Sequence, residues 1–215
     1  MTIILMIVMV LCFLGFEGTE ALFRGYGVIP SEIKMPEQGL ISLLFSERFH
    51  TIFTSMFLHA GYQHLVMNIL FLWIFGNNIE DELGPVLFLV FFIVSGFLAA
   101  ILQIFTNPIS TIPMVGSSGA ISGIMGAYIL LFPRAKVITF FILTIVRWPA
   151  MVYIGLWFGY QALQVVYFVP EDTTVAWWAH IGGFITGMVL INFMNKKKRY
   201  GFRPGGRKRG KLPNK

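Results

Sequence analysis

Three groups of polar residues interrupt an otherwise apolar chain. They are His59, Gln63, His64 and Asn68 in HAGYQHLVMN, Ser117, Ser118 and Ser122 in MVGSSGAISGIMGAY, and His180 in WWAHIGG. A serine hydroxyl and an imidazole exchange a proton once they come within about 2.6 to 3.2 Å of each other. Polar groups surrounded by hydrocarbon each need a partner or water, so such groups mark the places where function is to be sought. His64 and Asn68, spaced i, i+4, share one helix face. The apolar stretches hold no central Asp or Glu. That leaves no carboxylate for a buried proton relay or for balancing a buried metal cation, and it argues against a carboxylate-driven pump.

The elements that must position these residues follow from composition. Of 215 residues 56% are hydrophobic and only 12% charged, with 22 Phe, and the mean hydropathy is +0.75. A chain of this kind is an integral membrane protein. A span needs about 20 apolar residues, and windows of this kind fall near 1–16 (extendable to Leu22), 51–75, 86–105, 115–132, 150–169 and 175–194. The predicted fold is an all-α polytopic bundle of six transmembrane helices over residues 1–195, followed by a basic tail over 196–215. The stretch from Ala135 to Trp148, broken by Arg147 and followed by Pro149, either lies along the interface or lengthens the fifth span. The first segment lacks a basic n-region and reads as a retained helix, with cleavage after Gly15 or Gly18 as the alternative. Cys12, the one cysteine, excludes an internal disulfide and reads as a small packing residue.

Charge orients the bundle. The tail from Asn195 onward carries 10 of the 16 Lys and Arg and no acid, and Arg134, Lys136 and Arg147 lie between spans four and five. The positive-inside rule puts these segments, and with six spans both termini, in the cytoplasm. The tail suits anionic lipid head groups better than nucleic acid, since it directly follows a membrane helix. Spans two, four and six then run inward. Ser118 and His180 each lie a few residues into their spans and share one level in the outer half of the membrane. His64 and Asn68 lie deeper unless the second helix begins nearer Phe57, and their side chains lean toward its outer start. The pairs Gly119/Gly123 and Gly183/Gly187 allow spans four and six to approach closely, although such pairs are also ordinary packing devices.

The segments GSSGAISGIMGAY, HAGYQHLVMNILFLWIFGNNIED and AHIGG resemble the rhomboid intramembrane serine proteases over about Arg48 to Leu190. The resemblance implies Ser118, in the family's G-x-S-G motif, as nucleophile and His180 as its general base. It implies His64 and Asn68 as oxyanion stabilisers, together with the Ser118 backbone N–H, and it requires no cofactor and no metal. With no intramembrane carboxylate to orient the histidine, the expected arrangement is a Ser-His dyad rather than a triad. The small polar residues at the helix start would line a wet cavity that supplies water.

Two positions depart from the family pattern. Several bacterial members stack a tyrosine on the histidine four residues after the nucleophile, where this chain has Ser122. Their Trp-Arg loop dipeptide is Glu47-Arg48 here, with Arg48 able to tie the loop down. Glu80 matches a position whose carboxylate fastens neighbouring helices. His59 reads as a local hydrogen-bonding residue, His50 as a solvated loop residue, and Trp157, Trp177 and Trp178 as interfacial or packing residues.

The resemblance implies an intramembrane serine endopeptidase, a hydrolase of membrane-protein substrates whose transmembrane segments unwind readily near the outer face. The expected location is a prokaryotic plasma membrane, given the lack of a transit-like amino terminus. Partners are the lipid bilayer and such substrates, with no nucleic acid. The alternatives are a catalytically silent rhomboid-like protein that binds clients, and a small-solute channel. The channel would need polar residues continuing to the inner ends of the spans, where this chain has IMGAYILLF and ILFLWIF.

Overall fold

The computed structural model describes residues 1–15, 19–33, 47–141, 144–167 and 175–195. The predicted basic tail and the loop predicted at 170–174 lie outside the described residues. The helices are α1 (Thr2–Gly15), α2 (Glu20–Tyr26), α3 (Thr51–Thr54), α4 (Tyr62–Leu83), α5 (Pro85–Thr106), α6 (Ser118–Leu131), α7 (Ala150–Tyr167) and α8 (Trp177–Met194). By length and apolarity α5 and α8 are each able to cross a membrane, and Thr51–Phe57 with α4 makes a third candidate as a bent pair. α1 and α6 are apolar but have 14 residues each, about 21 Å at 1.5 Å per residue against a hydrocarbon core of about 30 Å. The helical, membrane-embedded class is thus plain, while the count of six spans exceeds what helix length alone establishes.

Three boundaries differ from the sequence reading. The window at 51–75 is not one straight span: Thr51–Phe57 and α4 meet at 91°. The break falls at Leu58 to Gly61, where the 3-10 turn Ser55–Phe57 ends in extended backbone at Leu58. α4 continues past Phe75, through a π-helical turn at Leu72–Gly76, to Leu83. The fourth window starts too early, because residues before Ser118 are not helical: Gly116 takes φ +111°, a conformation that suits glycine.

The stretch after Pro133 does not lengthen the fifth span, whose helix begins at Ala150. It forms an antiparallel hairpin of β1 (Lys136–Phe141) and β2 (Thr144–Pro149), in which Lys136 pairs with Pro149 and Thr139 with Val146. Its β-branched residues, Val137, Ile138 and Thr139 on β1 and Thr144, Ile145 and Val146 on β2, favour the pleated conformation over a helix. Alternation buries Val137 and exposes Ile138 and Ile145. Among the described residues the fold is therefore helical with one two-stranded hairpin.

α6 and α8 cross at the centre, with α5 against both and α4 and α7 flanking them. Lipid offers little hydrophobic drive between helices, so close packing and hydrogen bonds hold such a bundle together. A Cβ on Gly183 or Gly187 would run into the backbone carbonyl of Gly119 or Gly123 respectively. These glycines set the approach of the two helices. Around the crossing, Leu72, Phe75 and Ile79 of α4, Phe88, Phe91 and Phe92 of α5, and Ile124 and Met125 of α6 are fully buried. The outer faces carry Ile3, Ile7 and Leu11 of α1, Leu156 and Leu163 of α7, and Ile185 and Phe193 of α8, all more than a third exposed. An apolar exterior of this extent needs lipid around it.

At the end predicted to face the cytoplasm, α4 closes on Gly84, whose φ is +79° and whose N–H donates to the Glu80 carbonyl at 2.7 Å. Pro85 then opens α5, a glycine-stop and proline-start arrangement. Glu80 Oε2 accepts from the Thr2 N–H at 2.7 Å, fastening the start of α1 to the end of α4. Asn78 Nδ2 donates to the Tyr128 hydroxyl at 3.0 Å, joining α4 to α6. At the opposite end the Arg48 guanidinium donates to the carbonyls of Arg24 (2.9 Å) and Gly25 (3.2 Å) and also meets Glu32. Arg48 thereby ties the α2 loop to α3.

Candidate functional site

Ser118 is the first residue of α6 and His180 the fourth of α8. The first intrahelical bond of α6 runs from Ile121 N to Ser117 O at 2.9 Å. The N–H groups of Ser118, Gly119 and Ala120 precede it and have no intrahelical acceptor, as in any first helical turn. His180 is held through its helix start: Gln103 of α5 is buried and its Oε1 accepts from the Ala179 N–H at 3.1 Å. The glycine-mediated crossing lies one turn further in. The result is a distance of 2.9 Å between Ser118 Oγ and His180 Nε2.

The other ring nitrogen of His180, Nδ1, lies 2.8 Å from Gln161 Oε1 on α7. The rings of Trp157 and Trp177 approach His180 with centroids at 6.0 and 6.1 Å. Ser122 turns away from the ring: its hydroxyl donates to the Ser118 carbonyl at 2.6 Å. Gln161 was not singled out from the sequence. The available signal was an amide inside an apolar window, one turn after Trp157 and hence on the same helix face.

His64 and Asn68 lie on the first two turns of α4, and Asn68 Nδ2 donates to the His64 carbonyl at 3.0 Å. The bend puts the start of α4 at Tyr62, so His64 sits in its first turn. Gly116 lies against the His64 ring: a Cβ there would be 2.6 Å from its Nε2. The glycine ahead of the serine is thus needed both for its backbone conformation and for this close approach. His59 is buried, with its ring edge-on to His64 at 5.2 Å. His50 is exposed, its Nδ1 3.0 Å from the Glu47 carbonyl. Ser117 is fully buried and its hydroxyl points to Met9 Sδ at 3.4 Å, away from His180.

Ser118, His180, His64, Asn68 and Gln161 line one cavity of about 1150 Å³. Its rim includes exposed Gln63 and Val175, and its floor is apolar, with fully buried Met125 beside Phe71 and Tyr153. Below the floor the buried Leu72, Phe75 and Ile124 close the bundle. Among the described residues no group of three or more His, Cys, Asp or Glu is arranged to hold a metal ion. The cavity combines a hydroxyl on a base, several hydrogen-bond donors and space for both water and an extended chain. Such a set suits acyl transfer.

A rhomboid-domain model matches residues 46–197. The chain is 27% identical over 155 residues to "Rhomboid protein 1, mitochondrial" of Saccharomyces cerevisiae, covering 68% of this chain and 42% of that protein. It is 32% identical over 139 residues to "RHOMBOID-like protein 6, mitochondrial" of Arabidopsis thaliana, covering 65% and 41%. It is 31% identical over 147 residues to "Rhomboid protease GluP" of Bacillus subtilis, covering 68% and 26%. The chain spans about two fifths of the length of the yeast and plant relatives.

Proposed function

The chain belongs to the rhomboid family, and from that premise we propose that it is an intramembrane serine endopeptidase acting through Ser118 and His180. It is an integral membrane protein by family and by its apolar helices. The observation that carries the reading is the 2.9 Å separation of Ser118 Oγ and His180 Nε2 at the wall of a cavity large enough for a peptide segment.

In this reading His180 Nε2 takes the Ser118 hydroxyl proton as Oγ attacks the substrate carbonyl. The oxygen that becomes negative is met by donors on three sides: the Ser118 backbone N–H at the positive end of α6, the His64 ring and the Asn68 amide. Asn68 uses one amide hydrogen on the His64 carbonyl and keeps the second for substrate. Collapse of the tetrahedral intermediate passes the proton from Nε2 to the leaving amine. Water entering from the cavity then hydrolyses the acyl-enzyme through the same base. No step requires a metal or cofactor.

The six-span arrangement belongs to this proposal, with α1, α4, α5, α6, α7 and α8 as the spans and the bent segment 51–57 leading into α4. The short α6 would begin inside the membrane rather than at its surface, which puts its first residue below the outer boundary, next to water. Both termini would then be cytoplasmic and the cavity would open outward. Substrates would be membrane proteins whose transmembrane segment unwinds readily, since only an extended backbone offers its carbonyl to Ser118. The relatives come from yeast mitochondria, plants and Bacillus and so support a membrane location without singling out a prokaryotic plasma membrane. The basic tail is assigned to anionic lipid on charge alone.

Covalent labelling with a fluorophosphonate, paired with cleavage of reporter transmembrane segments in liposomes, tests the reading. Wild type should label and cleave, and Ser118→Ala and His180→Ala should do neither. Equal labelling of wild type and Ser118→Ala would remove Ser118 as nucleophile. A folded wild type that neither labels nor cleaves would favour a silent client-binding protein instead.

A further inference from the structure

Neutral imidazole carries a single N–H, on either nitrogen, and only one of the two tautomers lets His180 act as a base toward Ser118. We propose that Gln161 is the positioning residue that selects this tautomer, an inference that rests on the protease reading above. Its Oε1, an acceptor only, faces Nδ1 at 2.8 Å, while Nε2 faces Ser118 Oγ at 2.9 Å. An acceptor at Nδ1 puts the ring proton there and leaves the Nε2 lone pair directed at the hydroxyl. The reverse tautomer would point an N–H at Ser118 and leave Gln161 Oε1 facing a second lone pair.

Burial makes this preference strong. Gln161 is only 5% exposed, and an unpaired amide carbonyl in such surroundings is costly. The contact also acts more strongly in the transition state than before it. When Nε2 accepts the serine proton the ring becomes cationic, and the Nδ1–H to carbonyl hydrogen bond becomes charge-assisted and shorter. A neutral amide supplies this without a buried carboxylate, whose desolvation within a membrane is expensive. Trp157, one turn earlier on α7, lies tilted at 41° to the ring, and Trp177 on α8 meets it nearly at right angles. Ring plane and ring proton are thereby fixed by α7 and α8, where Ser122 offers nothing to stack.

The test uses the full chain in liposomes with three variants. Gln161→Leu removes the acceptor, Gln161→Glu keeps one, and Gln161→Met preserves length with only a weak thioether acceptor should the leucine variant fail to fold. Nitrogen NMR of imidazole-labelled protein, with His180 assigned by loss of its signals in His180→Asn, reads the tautomer. Wild type should carry its proton on Nδ1. Gln161→Leu should lose about 10- to 100-fold in kcat with KM within about twofold, and should shift the proton toward Nε2. Gln161→Glu, read at a pH where its carboxyl is ionised and accepts only, should restore both the Nδ1 proton and most of kcat relative to Gln161→Leu. A wild-type proton on Nε2, or Ser118-dependent labelling and kcat undiminished in Gln161→Leu, would overturn the inference alone. Absence of any Ser118-dependent labelling in wild type would instead overturn the protease reading and the inference with it.

Discussion

Replacing Gly183 by Ala puts the α6/α8 crossing under direct test. A Cβ at this position would lie 2.8 Å from the carbonyl carbon of Gly119 and nearer still to its oxygen. Carbon contacts are at their best near 3.5 to 4.0 Å, so relieving the carbon contact alone parts the helices by about 0.7 to 1.2 Å, and the nearer oxygen asks for more. The obstacle is backbone and cannot rotate away. Gly119 directly follows Ser118, and Gly183 is one turn from His180. A parting of that size carried through to the 2.9 Å between Oγ and Nε2 takes it to about 3.6 Å or more, beyond hydrogen-bond reach. A misplacement of about 1 Å typically costs on the order of 10²-fold in rate, or about 2.7 kcal/mol of barrier.

The control is Gly155→Ala on α7, where a Cβ would meet nothing within 4 Å. That change should keep full activity and stabilise the helix by about 0.5 to 1 kcal/mol. The assays are kcat/KM on a reporter segment in liposomes, the rate of fluorophosphonate labelling, and thermal unfolding in detergent. Both rates should fall together in Gly183→Ala while the chain remains folded. Wild-type rates in a folded Gly183→Ala chain would show that the glycine contact does not hold the serine and histidine in place.

Asn68→Ala removes one proposed oxyanion donor and should lower kcat about 10²- to 10³-fold, with fluorophosphonate binding affinity largely kept. A drop confined to KM in steady-state cleavage would move Asn68 from transition-state stabilisation to substrate binding. Glu80→Ala leaves the Thr2 N–H without its acceptor and should destabilise the chain by about 1 to 3 kcal/mol without lowering kcat in the fraction that remains folded. Thermal unfolding and active-site titration with the fluorophosphonate separate the two quantities.

Much of the site was legible in the sequence because its signals are local. Membrane embedding follows from hydropathy summed over windows, a property that neighbouring residues carry by themselves. Ser118, His180, His64 and Asn68 stood out because polar groups in apolar surroundings are costly and because their spacings match a known family's motifs. Glu80 and Arg48 were readable for the same reasons, and the structure gives each the tying contacts expected of it. The glycine pairs suggested a close crossing, though pairs of this kind also occur where nothing catalytic meets.

Other features depend on contacts between segments far apart in the chain. The right-angled break before Tyr62 falls inside a window apolar enough on average to be one span, and averaged hydropathy does not register a change of direction. The hairpin at 136–149 was hidden because apolar composition is common to helices and to strands, and pairing rather than composition decided it. Gln161 shows the limit most sharply. A single amide in an apolar window has no local meaning, and it acquires one only because α7 and α8 bring it to 2.8 Å from a ring 19 residues away. Residue types and spacing along the chain determined which groups are able to do chemistry. Which of them touch was decided by the packing of helix backbones, where a few ångströms separate a hydrogen bond from none.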